Sequence, residues 1–230
     1  MPKEYSAVVT NVIGWAEGLK SIYIKFEGEK MQFLAGQYVM LSAEIDGKKE
    51  NRAYSIASTP LDEELEIVYR VVGPFTNYMN GLKIGDKIKV VGPFGHFTLE
   101  QAKQRNLVYI ATGTGISPLL SMVMGIHKSN SCTHFESLVV LYGTRFENML
   151  VHRKELEEHE KNCKNFKFFP VLSREEKWSG KKGHVQAHVL EVVKENTDYF
   201  VCGLPVMTDE VEKILLEKGV GKENIHLERY

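Results

Sequence analysis

The 230-residue sequence predicts two domains, an antiparallel β-barrel over residues 1–103 and a doubly wound parallel α/β sheet over residues 104–230. Three observations predict this. The first hundred residues alternate short strand-like runs with turns rich in Gly, Asp and Glu. Beyond the polar stretch Gln104-Arg105-Asn106, apolar strands alternate with amphipathic helices, the pattern of a parallel sheet covered on both faces. Hydrophobic residues make up 43 % of the chain and charged residues 26 %, an ordinary globular balance at a length that accommodates two small domains.

The same composition excludes several functions. The net charge is −1 and no long basic run occurs, so no nucleic-acid footprint is present. No apolar stretch approaches the length of a membrane span. The start Met1-Pro2-Lys3-Glu4 lacks an apolar signal region, so a cytoplasmic location is expected. Cys132, Cys163 and Cys202 are odd in number and widely spaced, which argues against a disulfide framework and against an iron–sulfur cluster, which needs four thiolates. His184 and His188 stand four apart without the acid of a zinc-protease pattern, so they are expected as exposed helix histidines and no metal site is expected.

In the first half, strands are predicted at residues 5–13, 21–26, 37–43, 51–57, 65–72 and 87–91. Turns at Glu17-Gly18, Gly28-Glu29, Asp46-Gly47, Leu61-Asp62 and Gly85-Asp86 separate them. Closing such strands into a barrel removes the sheet edges that invite aggregation. The fourth strand, Arg52-Ala53-Tyr54-Ser55-Ile56-Ala57-Ser58, carries the most chemistry. Its alternation puts Tyr54 and Ile56 on one face and Ala53, Ser55 and Ala57 on the other. It can bring a forked cation suited to phosphate, an aromatic plane and a hydroxyl to one ligand, although plain packing would use the same residues. After the fifth strand, Gly73-Pro74-Phe75-Thr76-Asn77-Tyr78-Met79 interrupts the pattern. Thr76 is expected to cap a short helix running to Leu82, whose free amides would attract phosphate or simply close the barrel end.

In the second half, strands are predicted at 107–111, 138–142, 166–172, 199–202 and 225–228, and helices at 118–128, 149–161, 185–194 and 206–218, the last stopped by Gly219. The charged run from Arg153 to Lys161 reads as a solvated helix face. Ligands bind outside the carboxyl ends of parallel strands, and three such ends are notable. Thr112-Gly113-Thr114-Gly115-Ile116-Ser117-Pro118 is a strand, a glycine turn and a helix start, with Pro118 suited to the first helical position. Tyr142-Gly143-Thr144-Arg145 and Ser173-Arg174-Glu175 offer two arginines and a serine where a coenzyme lacking a 2′-phosphate would need an acid. Cys202-Gly203-Leu204-Pro205-Val206-Met207 places a cysteine at the tip of a buried strand.

Five segments in this order make the chain resemble the plant-type ferredoxin–NADP reductase family over nearly its whole length. They are Arg52-x-Tyr54-Ser55, Gly73 with Thr76, Gly92-Pro93-Phe94-Gly95-His96-Phe97, the Gly113-to-Pro118 loop, and Cys202-Gly203 with Met207. The resemblance implies an FAD-binding barrel and an NAD(P)-binding α/β domain. It places Arg52 on the flavin pyrophosphate, Tyr54 on the isoalloxazine and Ser55 beside its reactive nitrogen, with Ile56, Tyr69, Val71, Gly73 and Thr76 also on FAD. The terminal Tyr230 is implied to cover the flavin face that the nicotinamide must reach. Gly113, Thr114, Gly115 and Pro118 are implied to hold the nicotinamide dinucleotide, with Arg145, Ser173 and Arg174 at its 2′-phosphate. Because NADH-using relatives carry Arg145 too, Ser173-Arg174 carries the lean towards NADP. Cys202, Gly203 and Met207 are implied to lie beside the nicotinamide, with Cys202 in a positioning role, and Glu228 to relay a proton or orient the ring.

The activity implied is electron transfer between NADP(H) and a one-electron carrier such as ferredoxin or flavodoxin. The alternative is a flavin-bearing reductase subunit of a multicomponent oxygenase or dehydrogenase. No residue stacking on the FAD adenine can be singled out, so FMN stays open.

Overall fold

A computed structural model describes residues 2–129 and 131–230, with the side chains of 131 and 132 outside the description. The readings of Met1 and of the Cys132 thiol therefore lie outside the described residues. The first sheet contains β1 (Lys3–Ala16), β2 (Leu19–Phe26), β3 (Tyr38–Ile45), β4 (Lys48–Ser55), β5 (Leu65–Arg70) and β6 (Lys87–Phe94). Its order is β4-β3-β6-β1-β2-β5, antiparallel throughout. The β3–β4 hairpin turns at Asp46 and Gly47, both at positive φ (51° and 72°), the pair of conformations a tight primed turn requires. The sheet curls until its edge strands meet: the Ala57 amide donates to the Glu66 carbonyl at 2.9 Å, and Ile56 bridges Ile67. Alternate residues of five of these strands, among them Val9, Ile22, Leu41, Ile67 and Val90, fill the enclosed core, and β4 adds the partly buried Tyr54.

α1 (Pro74–Gly81) covers one end of this sheet with Phe75 and Met79. Its N-cap is Gly73 rather than Thr76. Pro74 fits the first helical position because its missing N–H would have had no intrahelical partner. Thr76 lies one turn in, where its hydroxyl accepts from the amides of Val72 at 2.9 Å and Gly73 at 3.0 Å.

The second sheet is wholly parallel. It contains β7 (Asn106–Thr112), β8 (Ser137–Thr144), β9 (Phe166–Leu172), a short β10 (Lys181–Lys182) that the sequence did not signal, β11 (Thr197–Gly203) and β12 (Ile225–Arg229), in the order β10-β9-β8-β7-β11-β12. Leu107, Tyr109 and Ala111 of β7 face α2 (Ile116–Lys128) and α3 (Arg153–Asn162), while Val108 and Ile110 face α4 (Pro205–Glu217). Strands buried on both faces explain the apolar runs.

Several local expectations are corrected. α2 begins at Ile116, because the turn Gly113–Gly115 is already helical in sense and Gly115 enters at φ −63°. Pro118 is therefore the third residue of the helix, still among positions with no intrahelical N–H bond to lose. The predicted 149–161 helix is split: Glu147–Met149 is a 3₁₀ turn, and His152 at φ 53° breaks the chain before α3. Residues 185–194 form a 3₁₀ segment, Val185–Glu191, instead of an α-helix. There His188 is largely buried, held between the Lys182 carbonyl at 2.8 Å and Glu191 at 2.6 Å. The charged run on α3 is not wholly solvated, since Leu156 and His159 are buried and burial lowers the His159 imidazole to about 4.

The two sheets share a core. Leu19, Ala57, Val68 and Phe97 of the first half pack in one cluster with Leu107, Ala111, Leu120 and Phe200 of the second. The Phe97 ring meets Phe200 edge-on at 5.5 Å. Truncating a buried Phe costs about 3–5 kcal/mol, whereas a surface pair such as Lys128–Asp62 contributes about 0–1 kcal/mol. Apolar contact therefore fixes the juxtaposition. A buried polar bridge accompanies it: His152 Nε2 lies 2.9 and 2.8 Å from the two oxygens of Glu66. Ser21 donates to Glu66 at 2.5 Å and in turn accepts from the Trp15 indole at 2.8 Å. The linker is tied down as well, with the amides of Lys103 and Gln104 both donating to Asp198 at 2.6 Å.

Candidate functional site

The end of β4 and the start of α1 build one wall. Arg52 is exposed and pairs with Glu50 at 2.6 Å. Its guanidinium lies 5.8 Å from the Phe75 ring, and Tyr54 stacks on that ring at 6.1 Å and 30°. Phe75 thus orients both the cation and the phenol, a role no sequence motif announces. Burial pushes the Tyr54 hydroxyl up to about 12, partly offset by the nearby Arg52 charge. Ile56 and Tyr69 point into the barrel core, the latter donating to the Met79 carbonyl at 3.2 Å, so both present backbone rather than side chain outward. Val71 is half-buried against that core, and Val72 beside it is 77 % exposed. Arg70, at the exposed end of β5, adds a cation that no sequence motif announces. Its signal was a lone cation at the end of an otherwise buried strand.

Where the sheets meet, three residues from far apart in sequence converge. Ser55 Oγ donates to Glu228 Oε2 at 3.2 Å, and the Cys202 thiol donates to the same oxygen at 3.7 Å. Cys202 and Glu228 are direct partners in the β11–β12 register. Burial, and then the adjacent Glu228 carboxyl, push the thiol well above its ordinary value. A neutral thiol here is a donor and a filler, not a nucleophile. Burial also raises the Glu228 carboxyl, against the lowering effect of the two hydrogen bonds it accepts.

The β7 strand end supplies the floor. Gly115 has no room for a side chain: a Cβ there would lie 2.5 Å from the Cys202 carbonyl and 2.9 Å from the Tyr230 ring. Gly203 is less constrained, since a Cβ there would meet side-chain ends, the Met207 methyl and the Thr112 hydroxyl, with the nearest backbone atom at 3.7 Å. Met207 itself is buried. Tyr230 is 52 % exposed and anchored through its amide to the Gly203 carbonyl at 3.4 Å. Burial raises its hydroxyl.

On the far side of β7, the ends of β8 and β9 are joined by backbone bonds, Ser173 amide to Thr144 carbonyl at 3.0 Å and Arg174 amide to Arg145 carbonyl at 2.9 Å. This brings Arg145, Ser173 and Arg174 together. Both arginines are exposed, and neither is in an ion pair among the described residues. Two cations without a carboxylate partner suit a dianionic phosphate.

The arrangement fits two dinucleotides. Gly73 leaves open space at a helix start, a Cβ on Gly113 would touch the Tyr230 hydroxyl at 3.5 Å, and Gly115 and Gly203 bring bare backbone to the junction of the sheets. Among the described residues, no group of three or more His, Cys, Asp or Glu side chains is disposed to hold a metal ion, and no helix is long and apolar enough to cross a membrane.

Comparison with known proteins agrees with this geometry. A family profile described as the oxidoreductase FAD-binding domain matches residues 12–99, and one described as the oxidoreductase NAD-binding domain matches residues 109–213. Ferredoxin–NADP reductase B of Sorangium cellulosum is 34 % identical over 217 residues, covering 89 % of this chain and 88 % of that protein. The toluate 1,2-dioxygenase electron transfer component of Pseudomonas putida is 28 % identical over 232 residues, covering 98 % of this chain and 67 % of that one. A ferredoxin NADP+ reductase from Neisseria gonorrhoeae, solved with FAD and NADP bound, has a TM-score of 0.87 at 22 % identity, covering 99 % of this chain and 98 % of that one.

Proposed function

The chain belongs to the ferredoxin–NADP reductase family of FAD- and NAD(P)-dependent oxidoreductases, and on that premise we propose that it passes electrons between NADP(H) and a one-electron protein carrier of the ferredoxin or flavodoxin type. The observation that carries this reading is the shared carboxylate oxygen of Glu228, which ties Ser55 of the barrel to Cys202 of the parallel sheet. A hydroxyl, a thiol and a carboxyl are thereby held where the two domains meet, as alignment of two ring systems requires. FAD supplies the exchange between two-electron hydride chemistry with nicotinamide and one-electron chemistry with a carrier.

The chain's own residues bind, orient and exclude water. Arg52 exchanges its Glu50 partner for the flavin pyrophosphate, and the Gly73–Thr76 helix start offers amides to the same group. Tyr54 gives its ring face to the isoalloxazine. Ile56, Tyr69 and Val71 shape that wall through backbone and packing. Ser55 would hold its hydroxyl toward the reactive nitrogen, and Glu228, as a carboxylate, positions that hydroxyl and can take up and pass on a proton. The Gly113, Thr114 and Gly115 turn with Pro118, together with Cys202, Gly203 and Met207, receives the nicotinamide half. Arg145, Ser173 and Arg174 receive the 2′-phosphate. Tyr230 occupies the nicotinamide's place and moves aside.

Stopped-flow reduction of the bound flavin by NADPH and by NADH tests flavin, coenzyme and chemistry together. Fast reduction by NADPH alone supports the reading, and none with either coenzyme sinks it. A second reading, a reductase subunit of an oxygenase, is favoured by the likeness to the toluate dioxygenase component. Ferricyanide reduction with NADPH by the isolated chain separates the two, because a dependent subunit shows no turnover alone.

A further inference from the structure

Arg153, the first residue of α3, joins two loops that no sequence motif connects. Its Nη1 pairs with Glu147, in the turn just after Arg145 and Phe146. Its Nε donates to Glu157 at 2.5 Å, which fixes the plane of the guanidinium. That plane lies 5.2 Å from the Trp178 ring, in the loop that begins at Ser173 and Arg174. The Trp178 amide donates to the Glu175 carbonyl at 3.2 Å, and its ring leaves no room for a Cβ on Gly180, which would come within 2.6 Å. The indole Nε1 is buried without a hydrogen-bond partner among the described residues, so the ring is held by its faces.

Among the described residues, the backbone bonds that zip the two loops lie at their roots, through Ser173 and Arg174. Further out, Arg153 spans them: a planar fork meets a carboxylate on one loop and an aromatic face on the other, a combination lysine cannot reproduce. We propose that Arg153 is a positioning residue for coenzyme selection, clamping the Glu147 turn against Trp178 and so setting the spacing of Arg145 and Arg174. The inference rests on the assignment of those two cations to the 2′-phosphate. A preordered pair loses less freedom when the phosphate arrives, so the clamp acts on the phosphorylated coenzyme and not on its unphosphorylated counterpart.

The test is titration calorimetry of the purified flavoprotein with adenosine 2′,5′-bisphosphate and with adenosine 5′-monophosphate. Arg153→Gln should raise the dissociation constant for the bisphosphate about fivefold and leave that for the monophosphate within about twofold, the size expected from losing a cation–π contact and its ordering effect. Trp178→Leu should repeat this pattern, and Trp178→Phe, which keeps a ring face, should restore most of the selectivity. Trp178→Leu carries the test if Arg153→Gln does not fold. Equal weakening of both ligands, or no change while Arg174→Ala weakens only the bisphosphate, overturns the clamp. If Arg174→Ala leaves the bisphosphate unaffected, the phosphate assignment itself is overturned, and the clamp with it.

Discussion

Tyr230 and Gly115 touch through both hydroxyl and ring. The Gly115 amide donates to the Tyr230 hydroxyl at 3.3 Å, that hydroxyl donates to the Thr112 carbonyl at 2.9 Å, and the ring lies against the glycine where a Cβ would stand. The terminal residue therefore occupies the same backbone groups that the Gly113–Gly115 turn would present to a nucleotide. Displacing it costs two hydrogen bonds of about 0.5–1.5 kcal/mol each, together with the packing of the ring against the glycine. Tyr230→Ser should bind NADP+ about tenfold more tightly and show a stronger flavin–nicotinamide absorption band. Tyr230→Phe should recover only the hydrogen-bond share. Equilibrium titration of both variants checks this, and unchanged affinity in both would remove the gating role.

Glu228 predicts a pH step. Burial raises its carboxyl, so protonation begins above the usual carboxylate value of about 4.3. Once protonated, it loses the negative charge that strengthens the bonds Ser55 and Cys202 donate to its Oε2. Flavin reduction by NADPH should slow as pH falls through this raised step. Glu228→Gln should lose the step and run about 10–100-fold slower across the range, within the span of a general acid–base contribution. Stopped-flow rates from pH 5 to 8 decide it, and a step that survives in Glu228→Gln would assign the titration elsewhere.

Arg52 must release Glu50 to reach a pyrophosphate. Arg52→Ala should weaken FAD retention by about 1.5–3 kcal/mol, the scale of a hydrogen bond to a charged group. Glu50→Gln, which frees the guanidinium, should hold FAD at least as well as wild type. Flavin content after dialysis reads both, and a fully yellow Arg52→Ala would contradict the phosphate contact.

Arg174→Ala should raise the KM for NADPH about tenfold and leave that for NADH nearly unchanged, since a phosphate partner acts only on the coenzyme that carries the phosphate. Equal losses with both would indicate a folding effect.

His152 and Glu66 make stability depend on pH. Burial lowers the imidazole, but the hydrogen bond and charge of Glu66 more than reverse this, so its value in the folded protein lies above that of the unfolded chain. The contribution is thus complete below the unfolded value of about 6.5 and is lost as pH rises through the raised folded one. Breaking a buried pair costs about 3–5 kcal/mol, so His152→Gln should depress Tm by several degrees at pH 6 and by less at pH 9. Parallel melts at the two values test it, and a pH-independent difference would show that the pair does not titrate.

The strands and the order of the motifs were legible because periodicity and turn chemistry are local. The Arg52–Ser55 strand, the Gly113 turn and the Cys202–Gly203 tip could each be read from a few neighbouring residues. What could not be read is what meets what. The contacts of Tyr230 with Thr112 and Gly115 span more than a hundred residues. Phe75 is, in sequence, an apolar residue of a short helix, and the fold alone puts Arg52 and Tyr54 on its ring. His159 reads as part of a charged run, yet it is buried beside Phe166 at 4.4 Å. The helix expected at 185–194 shows the same limit: Val185 and Val189, four apart, carry α spacing, yet the segment is 3₁₀, with His188 bonded to the Lys182 carbonyl.

The strand order β10-β9-β8-β7-β11-β12 has an evolutionary consequence. Arg145, Ser173 and Arg174 lie at the ends of β8 and β9, and Cys202 and Glu228 on β11 and β12, with β7 between them. At about 4.8 Å per strand, β8 and β11 stand roughly 10 Å apart and β9 and β11 roughly 14 Å, at or beyond the distance at which substitutions usually couple. Changes that retune the choice of coenzyme and changes that retune the redox junction should therefore accumulate independently. A lineage, or an engineer, could exchange NADP for NAD at one margin of the sheet without re-solving the alignment of the rings at the other.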